Sequence, residues 1–153
     1  MNDRDVIAYY LTWTCYGTWL PGDSRGWHDW RHGWQVADPK IEAKNRQSMT
    51  EDAVTLNDLQ RAKVEATIRK HCDIRNWHLW AVNCRTNHVH VVTTARTHSP
   101  EQVRDQLKAW CTRNLKTTFN PAKKNWWTEG AYIKQVENED DLAAAIEYTL
   151  NAQ

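Results

Sequence analysis

The chain reads as an α+β protein: a ferredoxin-like split βαβ arrangement with a four-stranded antiparallel sheet, followed by a C-terminal helix. Three observations predict this. Four segments carry the alternation or the aromatic and β-branched richness of half-buried strands. Two longer segments between them have helical periodicity and open on residues suited to helix caps. The order is strand, long loop, helix, strand, strand, helix, strand, helix, and its first six regular elements match the split βαβ pattern. In that topology the first and third strands are central. At 153 residues the chain is read as a single domain, 1–153, long enough for one core and too short for two.

Residues 7–16, Ile-Ala-Tyr-Tyr-Leu-Thr-Trp-Thr-Cys-Tyr, make the first strand. Gly17 ends it, and Leu20-Pro21-Gly22-Asp23 is a turn signal. From there to about residue 50 the pattern is irregular. Trp27, Trp30 and Trp34 sit three and four apart, but Gly26 and Gly33 argue against a long helix. A long connection is expected here, of the kind that carries function or moves. The first helix runs from Thr55 to about Cys72, with Thr55 or Asn57 as cap and Leu56, Leu59, Ala62, Ala66 and Ile68 on its apolar face.

Residues 77–85 alternate, placing Trp77, Leu79, Ala81 and Asn83 on one face and His78, Trp80, Val82 and Cys84 on the other. Asn87 marks a tight connection into the strand 88–95, so these two strands form a hairpin. Ser99-Pro100-Glu101-Gln102 opens the second helix: a serine cap, a proline in the first turn and a glutamine at the capping-box position. It stops near Thr117, before Asn120-Pro121. Residues 131–137 form the last strand, and Asp140 or Asp141 starts a helix that reaches Tyr148 and the C-terminus.

Lys and Arg number 20 against 19 Asp and Glu, a net charge of +1, which excludes long-range attraction of polyanions by the whole molecule but not a local basic patch. Ten tryptophans are several-fold above ordinary usage and serve either a tryptophan-heavy core or stacking platforms for unpaired bases. Cys15, Cys72, Cys84 and Cys111 are widely spaced, without a Cys-x-x-Cys pair, so buried free thiols in a reducing compartment are expected. Neither an N-terminal apolar signal nor a run of membrane-spanning length is visible, and the expected location is cytoplasmic.

The chemistry concentrates at Asn87-His88-Val89-His90-Val91-Val92. On a strand, His88 and His90 point to the same side, roughly 6–7 Å apart by strand rise, while Val89 and Val91 fill the other face. Two neutral imidazoles suit a divalent metal when a third oxygen or nitrogen joins them; the plainer role is a pair of polar rings on a solvated face. The uncommitted cover for this strand is the C-terminal helix, where Leu142, Ala145, Ile146 and Leu150 make an apolar face and Ala143, Ala144 and Thr149 are small. Tyr148 on that helix is either a core aromatic or a nucleophile beside the metal. Asn151, three residues on, shares its face and offers an amide oxygen; Gln153, five residues on, is less well aligned. Glu147 points elsewhere.

Such parts fit one reaction. A phenol is a poor nucleophile at neutral pH, and a divalent cation on a phosphodiester would polarise the phosphorus and fix the attack geometry. The tyrosine oxygen would displace a 3′-hydroxyl, leaving a 5′-phosphotyrosine bond that keeps the phosphoester energy for rejoining.

With these residues in place, the chain resembles the HUH single-tyrosine nucleases, most of all their insertion-sequence transposases and REP-associated relatives. The resemblance covers nearly the whole chain. It runs through Tyr9-Tyr10-Leu11-Thr12, Tyr16-Gly17-Thr18-Trp19-Leu20-Pro21-Gly22-Asp23, the His-Val-His strand, Tyr132-Ile133-Lys134 and Ala145-Ile146-Glu147-Tyr148. It implies that His88 and His90 are metal ligands for Mg²⁺ or Mn²⁺, that Tyr148 is the nucleophile, and that single-stranded DNA beside a hairpin is the substrate. Relatives usually carry glutamine or asparagine four residues after the tyrosine. This chain has Ala152 there, and the third ligand stays open between Asn151 and Gln153.

For DNA contacts, Arg104, Lys108, Arg113 and Lys116, with Lys123 and Lys124 beyond, outnumber the acidic Asp105 along the second helix and the loop after it. They form a basic edge for a phosphodiester or an ordinary solvated face. Trp27, Trp30 and Trp34 either stack splayed bases or lid the core. The leading expectation is thus a metal-dependent enzyme that cuts and rejoins single-stranded DNA. A hairpin-binding protein without strand transfer and a replication or conjugation nickase are the alternatives. Hairpin-bearing single-stranded DNA is the expected partner, a second copy of the chain is open as another, and no membrane is involved.

Overall fold

A computed structural model describes residues 5–29 and 31–151 of the chain. Four strands form the main sheet: β1 (Ala8–Thr14), β4 (His78–Cys84), β5 (His88–Thr94) and β6 (Tyr132–Val136). β2 (Trp27–Asp29) and β3 (Gly33–Gln35) make a separate small hairpin. The helices are α1 (Pro39–Gln47), α2 (Asp58–Arg75), α3 (Pro100–Thr118) and α4 (Glu139–Asn151). The sheet order is β4-β5-β1-β6, antiparallel throughout, so the first strand and the histidine strand are the central pair as expected.

The long helices begin where their sequences allow both orphan donors to be satisfied. Asn57 Oδ1 accepts from the Gln60 N–H at 2.8 Å, while Gln60 Oε1 accepts from the Asn57 N–H at 2.9 Å. Ser99 and Gln102 repeat this reciprocal pair at the start of α3. Asn76, in the left-handed region at φ 59°, closes α2 and turns the chain into β4. Val64, Ile68 and Cys72 of α2 and Val103, Leu107, Cys111 and Leu115 of α3 pack on Leu11, Trp13, Val89 and Val91 of the central strands. The opposite sheet face is covered more thinly, where Leu142, Ala145 and Ile146 of α4 meet Ala8, Tyr10, Ala81, Val92 and Val136.

Four expectations need correction. The face α2 buries is Val64, Thr67, Ile68, His71 and Cys72, while Leu59 is 73% exposed, because its first turn lies ahead of the contact with α3 and the sheet. The alternation of β4 changes phase at a bulge: Leu79 pairs with Thr93 and Ala81 with Val92, so Trp80 is an extra residue. Ala81 therefore faces α4, whereas Leu79, Val82 and Cys84 face α2 and α3. The stretch expected to be irregular holds β2, β3 and α1. Asp38 caps α1, its carboxylate accepting from the Lys40 and Ile41 N–H groups, and Pro39 occupies the first turn. On α4 the residues sealed from solvent are Leu142 and Thr149, whereas Leu150 is exposed.

Trp13, Trp77 and Trp126 are core residues, whereas Trp34, Trp80 and Trp110 are exposed. All four cysteines are free and buried. Among the described residues no helix is long and apolar enough to cross a membrane. Trp30 and Gln153 lie outside the described residues.

The segment before α1 is fastened through Gly22, whose φ is +92° and whose position leaves no room for a Cβ: one would sit 2.4 Å from both the Asp38 carbonyl oxygen and the Glu42 nitrogen. Gly33 has a similar φ of +78° with open space around it. Gly22→Ala is therefore expected to destabilise the protein by more than about 2 kcal/mol, and Gly33→Ala by about 1 kcal/mol, the cost of the backbone conformation alone. Urea titrations of the two variants check this, and equal effects would remove the steric part of the argument.

Candidate active site

The sheet face under α4 is where the polar residues of the central strands gather, and the β-ladder sets which of them meet. Thr12 lies opposite His90 and Thr14 opposite His88 across the β1–β5 pair. On the other side of β1, Tyr132 lies opposite Thr12 and Lys134 opposite Tyr10. Side chains on paired positions share a face, so three strands deliver a continuous row of hydroxyls, imidazoles and a lysine. The β4–β5 hairpin places the histidines at the start of their strand, with the Arg85 N–H bonded to the His88 carbonyl at 2.8 Å.

His88 and His90 stand edge to face, their ring centres 4.7 Å apart. His88 Nδ1 is 2.6 Å from Asn87 Oδ1. An amide oxygen only accepts, so Nδ1 is assigned the proton and Nε2 presents its lone pair. His90 Nδ1 lies 2.9 Å from both the Tyr10 hydroxyl and Thr12 Oγ1. With the proton on Nδ1, either oxygen accepts it, and Nε2 is then the free donor atom for a metal. Burial, then the neighbouring His88 and Arg85, pushes the His90 imidazole down to about 4. His88 is lowered too, by burial first and Arg85 second. Both rings are consequently neutral at pH 7, the form that coordinates metals.

Tyr148 projects from α4 beside this pair. Its ring centre is 5.8 Å from that of His90 and 6.2 Å from that of Tyr10, yet the residue is 61% exposed. α4 starts at an Asn138 cap rather than at Asp140 or Asp141: Asn138 Oδ1 accepts from the Asp141 N–H at 2.8 Å. Its last turn is tied to the sheet by Asn83 Nδ2, which donates to the Thr149 carbonyl at 2.9 Å. The two histidines, Tyr10, Tyr132 and Tyr148 share one cavity of ≈ 820 Å³. Arg25, Arg85 and Lys134 also line it, against Asp141 as the acidic member. A protein that is nearly neutral as a whole thus has a cationic site.

The other expected residues are placed differently. Asn151 is exposed, outside the cavity lining, with its amide nitrogen bonded to the Glu147 carbonyl at 2.9 Å. Among the described residues no group of three His, Cys, Asp or Glu side chains could hold a metal. The donor set on hand is therefore the two imidazole Nε2 atoms, with the remaining positions left to oxygens of substrate, water or an amide. Two neutral, oriented imidazoles fit a divalent cation in a partial shell.

The basic residues of α3 lie across the sheet from the histidines, because that helix packs on the Val89 and Val91 face. Arg104 pairs with Asp105, and the Arg113 guanidinium sits 4.5 Å from the Trp110 ring centre. Lys108 is committed to structure: Nζ donates to the Thr128 and Gly130 carbonyls, each at 2.8 Å, and burial pulls its ammonium down to about 8. Lys116 is half-buried on the same helix. Trp27 donates its indole N–H to the Val36 carbonyl, and the Trp34 ring lies against Gly26, neither of them in the cavity. Tyr10, Thr12, Trp19 and Tyr132 entered the sequence reading only within stretches that carry the resemblance, without a site role, and Arg25 and Arg85 had no site role there either. The two β1 residues carried a signal, since alternation puts them on one face; Arg85 precedes the histidine strand by a two-residue turn.

A family model described as "Transposase IS200 like" matches residues 42–151. No curated protein matches the chain by sequence. Among solved structures, a Deinococcus radiodurans R1 protein described as a transposase candidate is 17% identical, with a TM-score of 0.56 over 95% of this chain and 90% of that one. The REP-associated tyrosine transposase bound to a REP hairpin is 12% identical, with a TM-score of 0.52 over 94% of this chain and 64% of that one. Likeness at these identities establishes the fold.

Asn87 orients one imidazole and two hydroxyls share the other. Asn87→Ala is expected to weaken Mn²⁺ affinity about tenfold or more, the usual effect of losing a partner that orients a histidine ligand. Tyr10→Phe should cost less, because Thr12 still accepts from His90 Nδ1. Calorimetric titration with Mn²⁺ checks both, and an unchanged affinity for Asn87→Ala would refute its orienting role.

Proposed function

The chain belongs to the IS200-like transposase family, and we propose that it cuts and rejoins single-stranded DNA beside hairpins through a 5′-phosphotyrosine bond at Tyr148. The observation that carries this reading is the Tyr148 ring beside His90 in a shared, cationic and open cavity. Mg²⁺ or Mn²⁺ at the Nε2 atoms of His88 and His90 would supply the positive charge that makes a phosphodiester phosphorus electrophilic.

The chain's own residues do the rest. The Tyr148 oxygen forms a bond to phosphorus while the bond to the 3′-oxygen breaks. That oxygen departs with the electron pair and takes up a proton, and the phenolic proton passes to the solvent that reaches this exposed side chain. Arg85 and Lys134, on the rim of the same cavity, lower the cost of bringing a polyanion to the site. The reverse attack by a 3′-hydroxyl restores a phosphodiester and frees Tyr148, with no net loss of phosphoester bonds. The buried free thiols agree with a reducing compartment, and we infer a cytoplasmic setting.

The test is an incubation with end-labelled, hairpin-flanked single-stranded DNA and Mn²⁺, read as a denaturant-resistant protein–DNA adduct. The adduct is expected with the parent chain and the unpaired strand, and not with the fully paired duplex. Tyr148→Phe should abolish it while DNA affinity is retained; His88→Ala and His90→Ala should each abolish it as well. Adduct formation by Tyr148→Phe at the parent yield would overturn the nucleophile assignment. Binding without any adduct in the parent chain would leave a hairpin-binding protein in its place.

A further inference from the structure

The stretch Tyr16-Gly17-Thr18-Trp19-Leu20-Pro21-Gly22-Asp23 has no part in the reaction as described, yet its Thr18 and Trp19 line the cavity. The Asp23 carboxylate is buried and fully engaged by one residue. Its Oδ1 accepts from the Arg25 backbone N–H and from Arg25 Nε, and its Oδ2 from Arg25 Nη2, each at 2.8 Å. Arg25 Nη2 also donates to the Thr18 carbonyl at 3.1 Å. The guanidinium lies 4.0 Å from the ring centre of Trp19, whose own indole N–H is held by the Gly26 carbonyl at 2.7 Å. The Asp38 N–H bonds to the Gly22 carbonyl at 3.0 Å, fixing the turn to the start of α1.

A surface arginine ordinarily loses several freely rotating bonds when it is immobilised. Here one carboxylate, one carbonyl and one indole face have already fixed the plane of the guanidinium. Even so, the side chain stays 50% exposed, and Nη1 donates to no described residue. A fork held flat with one edge unused is suited to a planar or tetrahedral oxyanion. Closing the turn does not require this, because the backbone N–H bond to Asp23 would suffice. Trp19 and Arg25 line the cavity that holds His88, His90 and Tyr148. At ≈ 820 Å³ that cavity is near the upper end for ligand sites and takes more than one reacting phosphate.

We infer that Arg25, locked by Asp23 and backed by Trp19, is a binding residue for a backbone phosphate of the entering single strand, separate from the phosphate at the histidines. This rests on the functional reading above. Its role is to set strand affinity and path, without touching the reacting bond. Removing it should therefore weaken strand binding and its salt dependence.

The test uses fluorescence anisotropy with the full chain carrying Tyr148→Phe, so that no cleavage intervenes, and hairpin-flanked single-stranded DNA over a range of salt. Arg25→Gln is expected to lower affinity at low salt about tenfold, the effect of losing a charged hydrogen bond. It should also reduce the slope of log K against log salt by about 0.7, the contribution of one phosphate on a single strand. Arg25→Lys keeps the charge and loses the fork, so the slope should be retained while affinity falls several-fold. With the parent Tyr148, the DNA concentration that gives half-maximal adduct should rise about tenfold for Arg25→Gln. An unchanged salt slope in a folded Arg25→Gln protein, against firm binding by its Tyr148→Phe background, would overturn this proposal alone. If Arg25→Gln does not fold, Arg25→Lys decides, and parent-like affinity in that variant would refute the fork. Absence of single-strand binding by the background itself would bring down the functional reading and this inference together.

Discussion

The register between β1 and β5 is the constraint on which the rest of the molecule depends. Side chains alternate along a strand, so a slip of one residue would turn every one of them to the opposite face. In the register present, Leu11, Trp13, Val89 and Val91 enter the core under α2 and α3, while Tyr10, Thr12, His88 and His90 face the other way. Backbone bonds outside the ladder hold it there. The carbonyls of the hairpin turn are caught from two directions, Asn87 by the Cys15 N–H at 2.8 Å and Thr86 by the Leu56 N–H at 2.7 Å. The site is therefore fixed by the same bonds that fix the core, with rigid strands rather than loops carrying the histidines.

The two faces of the sheet bear different loads. One is sealed by two long helices with reciprocal caps; the other has a small apolar contact beneath α4, which leaves the adjoining surface open. That open surface explains how Tyr132 and Tyr148 remain solvent-exposed although both rings lie within about 6 Å of Tyr10. It also explains the charge pattern. Burying Arg85 and Lys134 without a partner would be costly, and lining an open cavity instead they add to its local field.

Much of this was legible in the sequence where the signal was local. The Ser99–Gln102 cap, the Asn87 turn and the alternation of the histidine strand act within a few residues, and each appears where expected; of the two caps open for the first helix, Thr55 and Asn57, the structure uses Asn57. The Asp38-Pro39 start of α1 was equally local and was overlooked among the surrounding glycines and tryptophans. What could not be read is what depends on the third dimension. The Trp80 bulge reverses the faces of β4 because one strand carries an extra residue against its neighbour, a fact about two strands together. The charges of α3 looked available along the chain, yet packing put them behind the sheet and gave Lys108 a pair of carbonyls. Arg25 and Trp19 share a cavity with the histidines across more than sixty positions of sequence, and no periodicity connects them.

The four cysteines acquire a meaning from the side of the sheet on which they lie. Cys15, Cys72, Cys84 and Cys111 all belong to the core beneath α2 and α3, away from the histidine cavity. Burial pushes the Cys15 thiol up to about 12 and the Cys72 thiol to about 11, and raises the other two as well. Sulfur competes with oxygen as a nucleophile only as thiolate. In the folded protein that competitor is withheld, and slow modification by alkylating reagents is expected. All four sit in one cluster, so opening of that core is what exposes them. The rate at which the native protein consumes a thiol reagent is thus a built-in clock for the opening of its helical face.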